Sequence, residues 1–207
     1  MSTTLNLKIR LDAHDDFGSA SFGLLGGTTV QDGKPIGFNM RAFYFFDRDT
    51  GGSAFTLPKN STIVSATIIR NPSDTANPAG LNYKLHCEAA DTPAVPASGS
   101  ALDSVALTTA FVNITSANTT VGVDNNMDVT APVQELVTRA GYCETIVSII
   151  AVNNGGADSV RWNSREASTT LCPRLTIVYD PPAAGGPFPH HTRRLLTGGM
   201  PVGGGMC

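Results

Sequence analysis

Residues 61–70 have the sequence STIVSATIIR, a β-branched run that decides the fold class. Val, Ile and Thr favour the pleated, half-buried surface of a β-strand. Upstream, residues 5–11 (LNLKIRL) alternate apolar and polar side chains, the pattern of a strand with one buried face. Residues 41–46 (RAFYFF) form a dense aromatic run that suits a strand buried on both faces. The first third of the chain therefore predicts β-structure.

The rest of the chain repeats this pattern at short intervals. Further strands are predicted at 81–87, 105–112, 119–123, 145–152, 159–163 and 175–179. Turn-forming Gly, Pro, Asn and Asp separate them, giving about eight to ten short strands in all. Many short strands without intervening long helices favour an all-β fold over βαβ units. We predict an antiparallel jelly-roll β-sandwich.

One helix interrupts the strands. Asp128 or Thr130 can cap it, Pro132 falls in its first turn where no N–H is needed, and Gly141 ends it. An apolar stripe at helical spacing runs along one side; it consists of Val129, Val133, Leu136, Val137 and Ala140. We expect a short helix of about ten residues that closes one end or edge of the sandwich.

The periodicity stops at Pro181. Residues 181–207 are dominated by Gly and Pro and predict a segment that is disordered in isolation. We therefore divide the chain into a sandwich over 1–180 and an extended tail over 181–207 that becomes ordered on a partner. The expected anchors are apolar plugs and charged contacts: Phe188, Arg193, Arg194, Leu195, Leu196 and Met200.

Composition excludes several classes of function. The chain is 41% hydrophobic and 15% charged, with a net charge of −3, and its Lys and Arg are scattered, so we expect no nucleic-acid partner. No apolar run is long enough to span a membrane, and the N-terminus MSTTLNLKIRLD lacks the pattern of a signal peptide. We expect synthesis in a reducing cytoplasm, no membrane partner and thiols that are mostly buried and reduced, although a disulfide stays open.

The sequence contains none of the common motifs for catalysis, nucleotide binding or zinc binding. No GxSxG, HExxH, phosphate-binding or dinucleotide-binding motif occurs, and the four Cys do not have zinc-site spacing. His14 lies beside three Asp, and His190 precedes His191, but neighbours on an extended chain point to opposite sides. The sequence predicts a protein that is not an enzyme and that has no metal site and no cofactor.

The segment 162–179 (WNSREASTTLCPRLTIVY) is the most distinctive of the chain. Arg165 and Glu166 follow the strand that contains Trp162, and the simplest interpretation is a local ion pair or turn feature. The alternative is that Trp162, Arg165 and Glu166 form the rim of a ligand site.

In order along the chain, several motifs resemble the DNRLRE-type jelly-roll modules, a group close to carbohydrate-binding modules. The matching pieces are Asp12 with 17–19, 41–46, Leu57-Pro58 with 61–68, 129–136, and 164–166 with 173–179. The resemblance implies a jelly-roll sandwich from about residue 12 to 180 and carries less information about function, because one fold hosts many functions.

A jelly roll with an anchoring tail and without catalytic motifs resembles a structural protein of a tailed-phage virion. We expect a capsid decoration (cement) protein that is made in the host cytoplasm and located in the virion. Its expected partners are the major capsid protein or tail proteins and further copies of itself, as in a trimer. The alternatives are a phage tail or baseplate component, or a carbohydrate-binding module used in adsorption.

Overall fold

The computed structural model describes residues 1–11, 15–19, 23–25, 29–33, 41–73 and 79–183. Within these ranges it contains twelve β-strands and two α-helices. The strands are β1 (Thr3–Lys8), β2 (Phe17–Ser19), β3 (Gly23–Leu25), β4 (Thr29–Gly33), β5 (Arg41–Phe46), β6 (Thr62–Arg70), β7 (Asn82–Cys87), β8 (Val112–Thr115), β9 (Asn125–Asp128), β10 (Val147–Asn153), β11 (Ser159–Asn163) and β12 (Arg174–Asp180). The helices are α1 (Gly99–Asp103) and α2 (Thr130–Val137).

The strands form two main sheets, ordered β1-β12-β6-β9 and β3-β2-β5-β10-β7-β8. The pairing is nested: β1 pairs with β12, β5 with β10, β6 with β9 and β7 with β8, each time antiparallel. A long hairpin whose paired strands alternate between two facing sheets is a jelly roll. The predicted all-β, antiparallel jelly-roll sandwich is confirmed.

The remaining strands extend this barrel-like core. β2 and β3 add to the six-stranded sheet beyond β5. β4 and β11 form a separate two-stranded antiparallel ribbon. The ribbon inserts Val30, Val160 and Trp162 into the main core, so it closes the sandwich rather than lying outside it.

The main core lies between the two sheets and follows the alternation of the strands. Several core side chains have no solvent contact, among them Leu7, Ile9, Leu85 and Ile177. A fully buried aliphatic side chain of this kind contributes about 1.5–3 kcal/mol relative to an exposed one. A β-bulge between Val178 and Tyr179 shifts the register against β6.

The strand β5 is buried on both faces, as its aromatic sequence predicts. Its outer side chains Phe43 and Phe45 pack with Leu102 of α1 and with Ile150 in a second, smaller apolar cluster. Val105 and Leu107 contact the same cluster, which explains why the predicted strand over 105–112 is wrong. Their apolar side chains cover the outside of a sheet instead of forming a strand of it.

Two other boundaries differ from the prediction. The strand expected at 119–123 begins only at Asn125, because the Asn125 side chain hydrogen-bonds back to Thr120 and Val123 and forms a turn there. The sequence predicts one helix, whereas α1 is a second one, with Ser98 accepting a hydrogen bond from the Ala101 N–H at its start.

The predicted helix is present as α2, which is shorter than expected and ends at Val137. The Asp128 carboxylate accepts the Thr130 N–H at 2.9 Å, but the N-cap residue is Val129, which makes no side-chain capping bond, so neither of the two predicted capping residues occupies that position. Gln134 bonds both to the Ile63 N–H (2.8 Å) and to the Ser61 carbonyl (3.1 Å). These bonds fix α2 to the start of β6, an inner strand of the four-stranded sheet.

The last described strand, β12, ends at Asp180, and residues 181–183 are exposed and outside any strand. None of the helices in the described ranges is long and apolar enough to cross a membrane. Cys87, Cys143 and Cys172 are free thiols; Cys143 is only half-buried.

Candidate functional site

A charged side chain lies at the centre of the core. Arg70 ends β6 and has no solvent exposure. Its guanidinium forms an ion pair with the equally buried Asp32 of β4 and donates to the hydroxyls of Tyr44 (2.8 Å) and Tyr83 (2.5 Å). Asp32 also accepts the Tyr44 O–H at 2.7 Å and the Trp162 indole N–H at 2.9 Å.

Aromatic rings enclose this guanidinium. The Arg70 Cζ atom lies 4.3 Å from the centroid of the Trp162 ring, 5.0 Å from that of Tyr44 and 5.5 Å from that of Tyr83. Burial, the largest single effect, disfavours the charge, but the Asp32 carboxylate together with Tyr44 and Tyr83 outweighs it, and the pKa of Arg70 stays above its ordinary value. Burial also raises the pKa of both tyrosines, so the network is a permanent ion pair between neutral rings.

This geometry corrects the expected ligand rim at Trp162. The indole is fully buried and its N–H and ring face are engaged by Asp32 and Arg70. A ligand on the surface therefore cannot reach it. The physical reason is that β11 pairs with β4 and turns Trp162 into the core, where the one Trp of the chain covers a buried cation.

The other two residues of the expected rim lie in a turn that follows β11. The Arg165 backbone N–H donates to the Asp15 carboxylate at 2.8 Å. Glu166 is exposed and its charge acts on both Asp15 and Asp16. Arg165 and Glu166 thus belong to a turn that binds Asp15, from a distant part of the chain, and places a negative charge near Asp15 and Asp16.

Both of these acidic residues are shielded from solvent. Asp15 is 1% exposed, and one oxygen of each carboxylate is buried without a hydrogen-bond partner in the described part of the chain. Burial, reinforced by Glu166, raises the pKa of Asp15 to about 8 and that of Asp16 to about 6. The pair can therefore take up protons near neutral pH.

The described residues include no group of three His, Cys, Asp or Glu side chains placed to hold a metal ion. Asp12 and His14, which flank the acidic pair in sequence, lie outside the described residues, as do His190 and His191. The tail anchors lie there too: Phe188, Arg193, Arg194, Leu195, Leu196 and Met200. Their predicted role stays a prediction.

After the buried Arg70 network and the Asp15–Asp16 pair, the third candidate site is the outer face of the six-stranded sheet. The segment that contains α1 covers β5 and β10, but the outward side chains of β7 and β8 remain accessible. We call this open area the β7–β8 strip; it comprises Asn82, Lys84, His86, Phe111, Asn113 and the adjoining Asn154. Phe111 is 43% exposed.

Contacts within the strip order its polar groups. The Lys84 ammonium lies 4.1 Å from the centroid of the Phe111 ring. The His86 ring lies 5.3 Å from the same ring, tilted by 40°, and its Nδ1 is 2.8 Å from the Thr108 carbonyl oxygen. Because a carbonyl only accepts, Nδ1 carries the proton, and Nε2 of the neutral ring is left as an acceptor.

Comparison of the sequence with models of known protein families finds no match, and comparison with curated proteins finds none either. The resemblance to DNRLRE-type modules stays a prediction. Asp12 lies outside the described residues and Leu57-Pro58 precedes β6; the other motif pieces fall on β2, β5, β6, α2, the turn after β11, and β12.

Sequence reasoning missed Arg70 and the strip, although both leave a trace in the alternation of apolar and polar residues. Arg70 is in phase with Ala66 and Ile68, which face the core. Lys84 and His86 occupy the polar phase of β7. What the sequence lacks is any sign that Asp32 meets Arg70, or that Phe111 lies beside Lys84.

Proposed function

We propose that this chain is a non-enzymatic structural protein of a bacteriophage virion, namely a capsid decoration protein attached through its C-terminal tail. The observation that carries the proposal is the closure of the jelly roll at Asp180, ahead of a Gly- and Pro-rich segment with no strand or helix periodicity. A self-contained module followed by such a segment is suited to tethering on a larger assembly.

The point where the tail leaves the module supports this arrangement. Tyr179, next to the end of β12, pairs with Thr3 at the start of β1. The first strand therefore begins, and the last described strand ends, at the same end of the four-stranded sheet. A tail from this position can lie along a shell without crossing the sandwich.

The outer face of the same sheet offers a surface for packing. Cross-strand pairs place short side chains side by side there, with few charges; they are Thr4, Asn6, Ser65, Thr67, Thr176 and Val178. We call this the threonine face. Short β-branched side chains lose little conformational entropy when a partner covers them. We infer that the threonine face contacts the shell next to the tail.

The test is particle association. Purified particles are incubated with the full chain, with a chain ending at residue 183, and with a full-length variant in which Phe188, Leu195 and Leu196 are changed to Ser. We expect the full chain to bind and both variants to be lost from the particle fraction in a sucrose gradient. Full incorporation of the shortened chain would overturn the tethering role.

Copy number separates the two virion roles. Quantitative mass spectrometry of particles gives hundreds of copies for a shell protein, whereas a tail or baseplate component is present in a dozen or fewer. A low count would move the proposal to the tail while leaving attachment by residues 181–207 in place.

A further inference from the structure

The connection between β10 and β11 holds a pair of residues that can react with each other. Asn154 is followed by Gly155, and this is the one Asn–Gly pair of the sequence. The backbone nitrogen of the Gly can attack the side-chain carbonyl carbon of the Asn, because Gly has no side chain to hinder the ring that forms. Both groups belong to one short segment, so the attack has the advantage of an intramolecular reaction. Asn is among the thermolabile residues of proteins.

The attacking nitrogen of this pair is not held by a hydrogen bond. Gly155 is exposed, with a φ of +79°, and its N–H donates to no acceptor among the described residues. The turn is held instead by its neighbours, since the Gly156 N–H donates to the Asn153 Oδ1 at 3.0 Å. The Gly155 nitrogen is therefore available for the attack without breaking the turn bond beside it.

The leaving group, by contrast, is held in place. Asn154 is half-buried, and its Nδ2 donates to the side-chain oxygens of Asn82 and Asn113, at 3.2 Å in both cases. Asn82 also binds the Asn154 backbone, accepting its N–H at 3.0 Å and donating to its carbonyl at 2.8 Å. Loss of Nδ2 breaks the two side-chain bonds, and a hydrogen bond of this kind is worth about 0.5–1.5 kcal/mol. These bonds slow the reaction but are too weak to prevent it.

We propose that Asn154 is a modification site that deamidates spontaneously in the folded chain, at a rate limited by its bonds to Asn82 and Asn113. The Gly155 nitrogen bonds to the Asn154 Cγ, the Cγ–Nδ2 bond breaks, and the amide proton of Gly155 leaves through water with Nδ2 as ammonia. Water then opens the cyclic imide at either carbonyl and gives aspartate or isoaspartate at position 154. Water is the one co-reactant, and the inference does not depend on virion attachment.

The product differs from the parent in charge and in packing. Each conversion adds one negative charge to a chain of net charge −3. A carboxylate has no N–H to donate to the oxygens of Asn82 and Asn113. Isoaspartate also adds a backbone carbon two residues before Gly156, where even a Cβ atom would meet the Asn82 backbone N at 2.6 Å. Deamidation should therefore loosen the β10–β11 connection from the start of β7.

The test is incubation of the folded full chain at pH 8, followed by digestion and peptide mass mapping. We expect the mass gain of amide-to-acid conversion at Asn154, about tenfold faster than at Asn60. Asn60 is exposed and serves as the internal comparison, because the next residue, Ser61, is buried and its N–H donates to the Pro58 carbonyl at 3.2 Å. Absence of conversion at Asn154, or conversion no faster than at Asn60, overturns the proposal.

Variants test the role of the side-chain bonds. Asn113→Ala removes one acceptor of the Asn154 Nδ2 and should accelerate conversion at Asn154 by about two- to tenfold, with the rate at Asn60 unchanged. Asn126→Ala changes an exposed Asn on β9 of the other sheet and should leave both rates as in the parent. Equal acceleration of both sites in Asn113→Ala would assign the effect to general unfolding and overturn the rate-limiting role, as would no acceleration at Asn154. Particle association is measured separately, so its failure has no bearing on this result.

Discussion

Arg70 shows what one residue does in this core. Its guanidinium satisfies Asp32, Tyr44 and Tyr83 in a region without solvent. Arg70→Met would leave the Asp32 carboxylate buried without its cation, and loss of one partner of a buried ion pair costs about 3–5 kcal/mol. We expect the free energy of unfolding to fall by about this amount, measured by urea titration of the fluorescence of Trp162.

The control for Arg70→Met is Arg48→Met. Arg48 is exposed and pairs with Asp47 at 3.8 Å on the surface, so its loss should cost about 0–1 kcal/mol. In the double variant Arg70→Met, Asp32→Asn, the buried charge is gone from both sides. We expect its cost to be smaller than the sum of the single costs. An additive double variant would mean that the two groups do not interact.

Asp15 and Asp16 link stability to pH. Their pKa values in the folded protein, about 8 and about 6, lie above those of an unfolded chain. The folded state therefore binds more protons than the unfolded state, so stability is greatest below about pH 4 for these two groups and declines as the pH rises toward 8. Urea midpoints measured between pH 4 and pH 8 should show this decline.

Asp15→Asn should flatten the dependence of the urea midpoint on pH. It should also raise the urea midpoint at pH 8, because an amide needs no proton to stay neutral. Its oxygen can still accept the Arg165 N–H that Asp15 now binds. Glu166→Gln should flatten the profile in part, since Glu166 contributes to both raised pKa values. Asp180→Asn, at the end of β12, serves as the control. A profile unchanged by Asp15→Asn would contradict the assignment.

Among the elements, the connection between β10 and β11 depends on one close approach. Gly156 lies against the start of β7, and a Cβ atom there would meet the Asn82 backbone N at 2.6 Å and the Gly80 carbonyl oxygen at 2.9 Å. Backbone atoms cannot give way as a flexible side chain can. Gly156→Ala should destabilise the fold by about 1–3 kcal/mol, as overpacking does, measured by thermal unfolding.

Gly122→Ala, in the connection between β8 and β9, is the control for Gly156→Ala. Gly122 has a φ of +78°, and a Cβ atom added there would have nothing within 4 Å, so the substitution adds backbone strain but no clash. Its expected cost is about 1 kcal/mol. If both substitutions cost the same, the close approach of Gly156 to β7 has no energetic role.

At the scale of the whole molecule, the nested pairing of strands makes the first and last strands neighbours. Within the described ranges, every strand and every side chain of the main core lies between residues 3 and 180. A chain ending at residue 183 should therefore unfold with a midpoint within about 2 °C of the full chain, because every core contact among the described residues is retained. A larger loss of stability in calorimetry would show that the tail packs on the module.

The alternation of β-branched and polar residues determined much of the secondary structure of this protein. It predicted β5, β6, β7, β10, β11 and β12 and the position of α2, because period-2 patterning and turn residues act locally. It failed at 105–112, where apolar residues cover the outside of a sheet, since a local pattern does not say which surface the residues will cover.

Tertiary structure alone decided the charged and aromatic contacts. The sequence left Trp162 open as part of a ligand rim, yet pairing of β11 with β4 buried it against Arg70, whereas Phe111 became an exposed ring. Asp32 and Arg70, or Asp15 and Arg165, are far apart along the chain and meet only when the sheets close. The sequence by itself therefore determined the strands of this jelly roll, and the long-range packing of those strands decided which side chains remain available to a ligand.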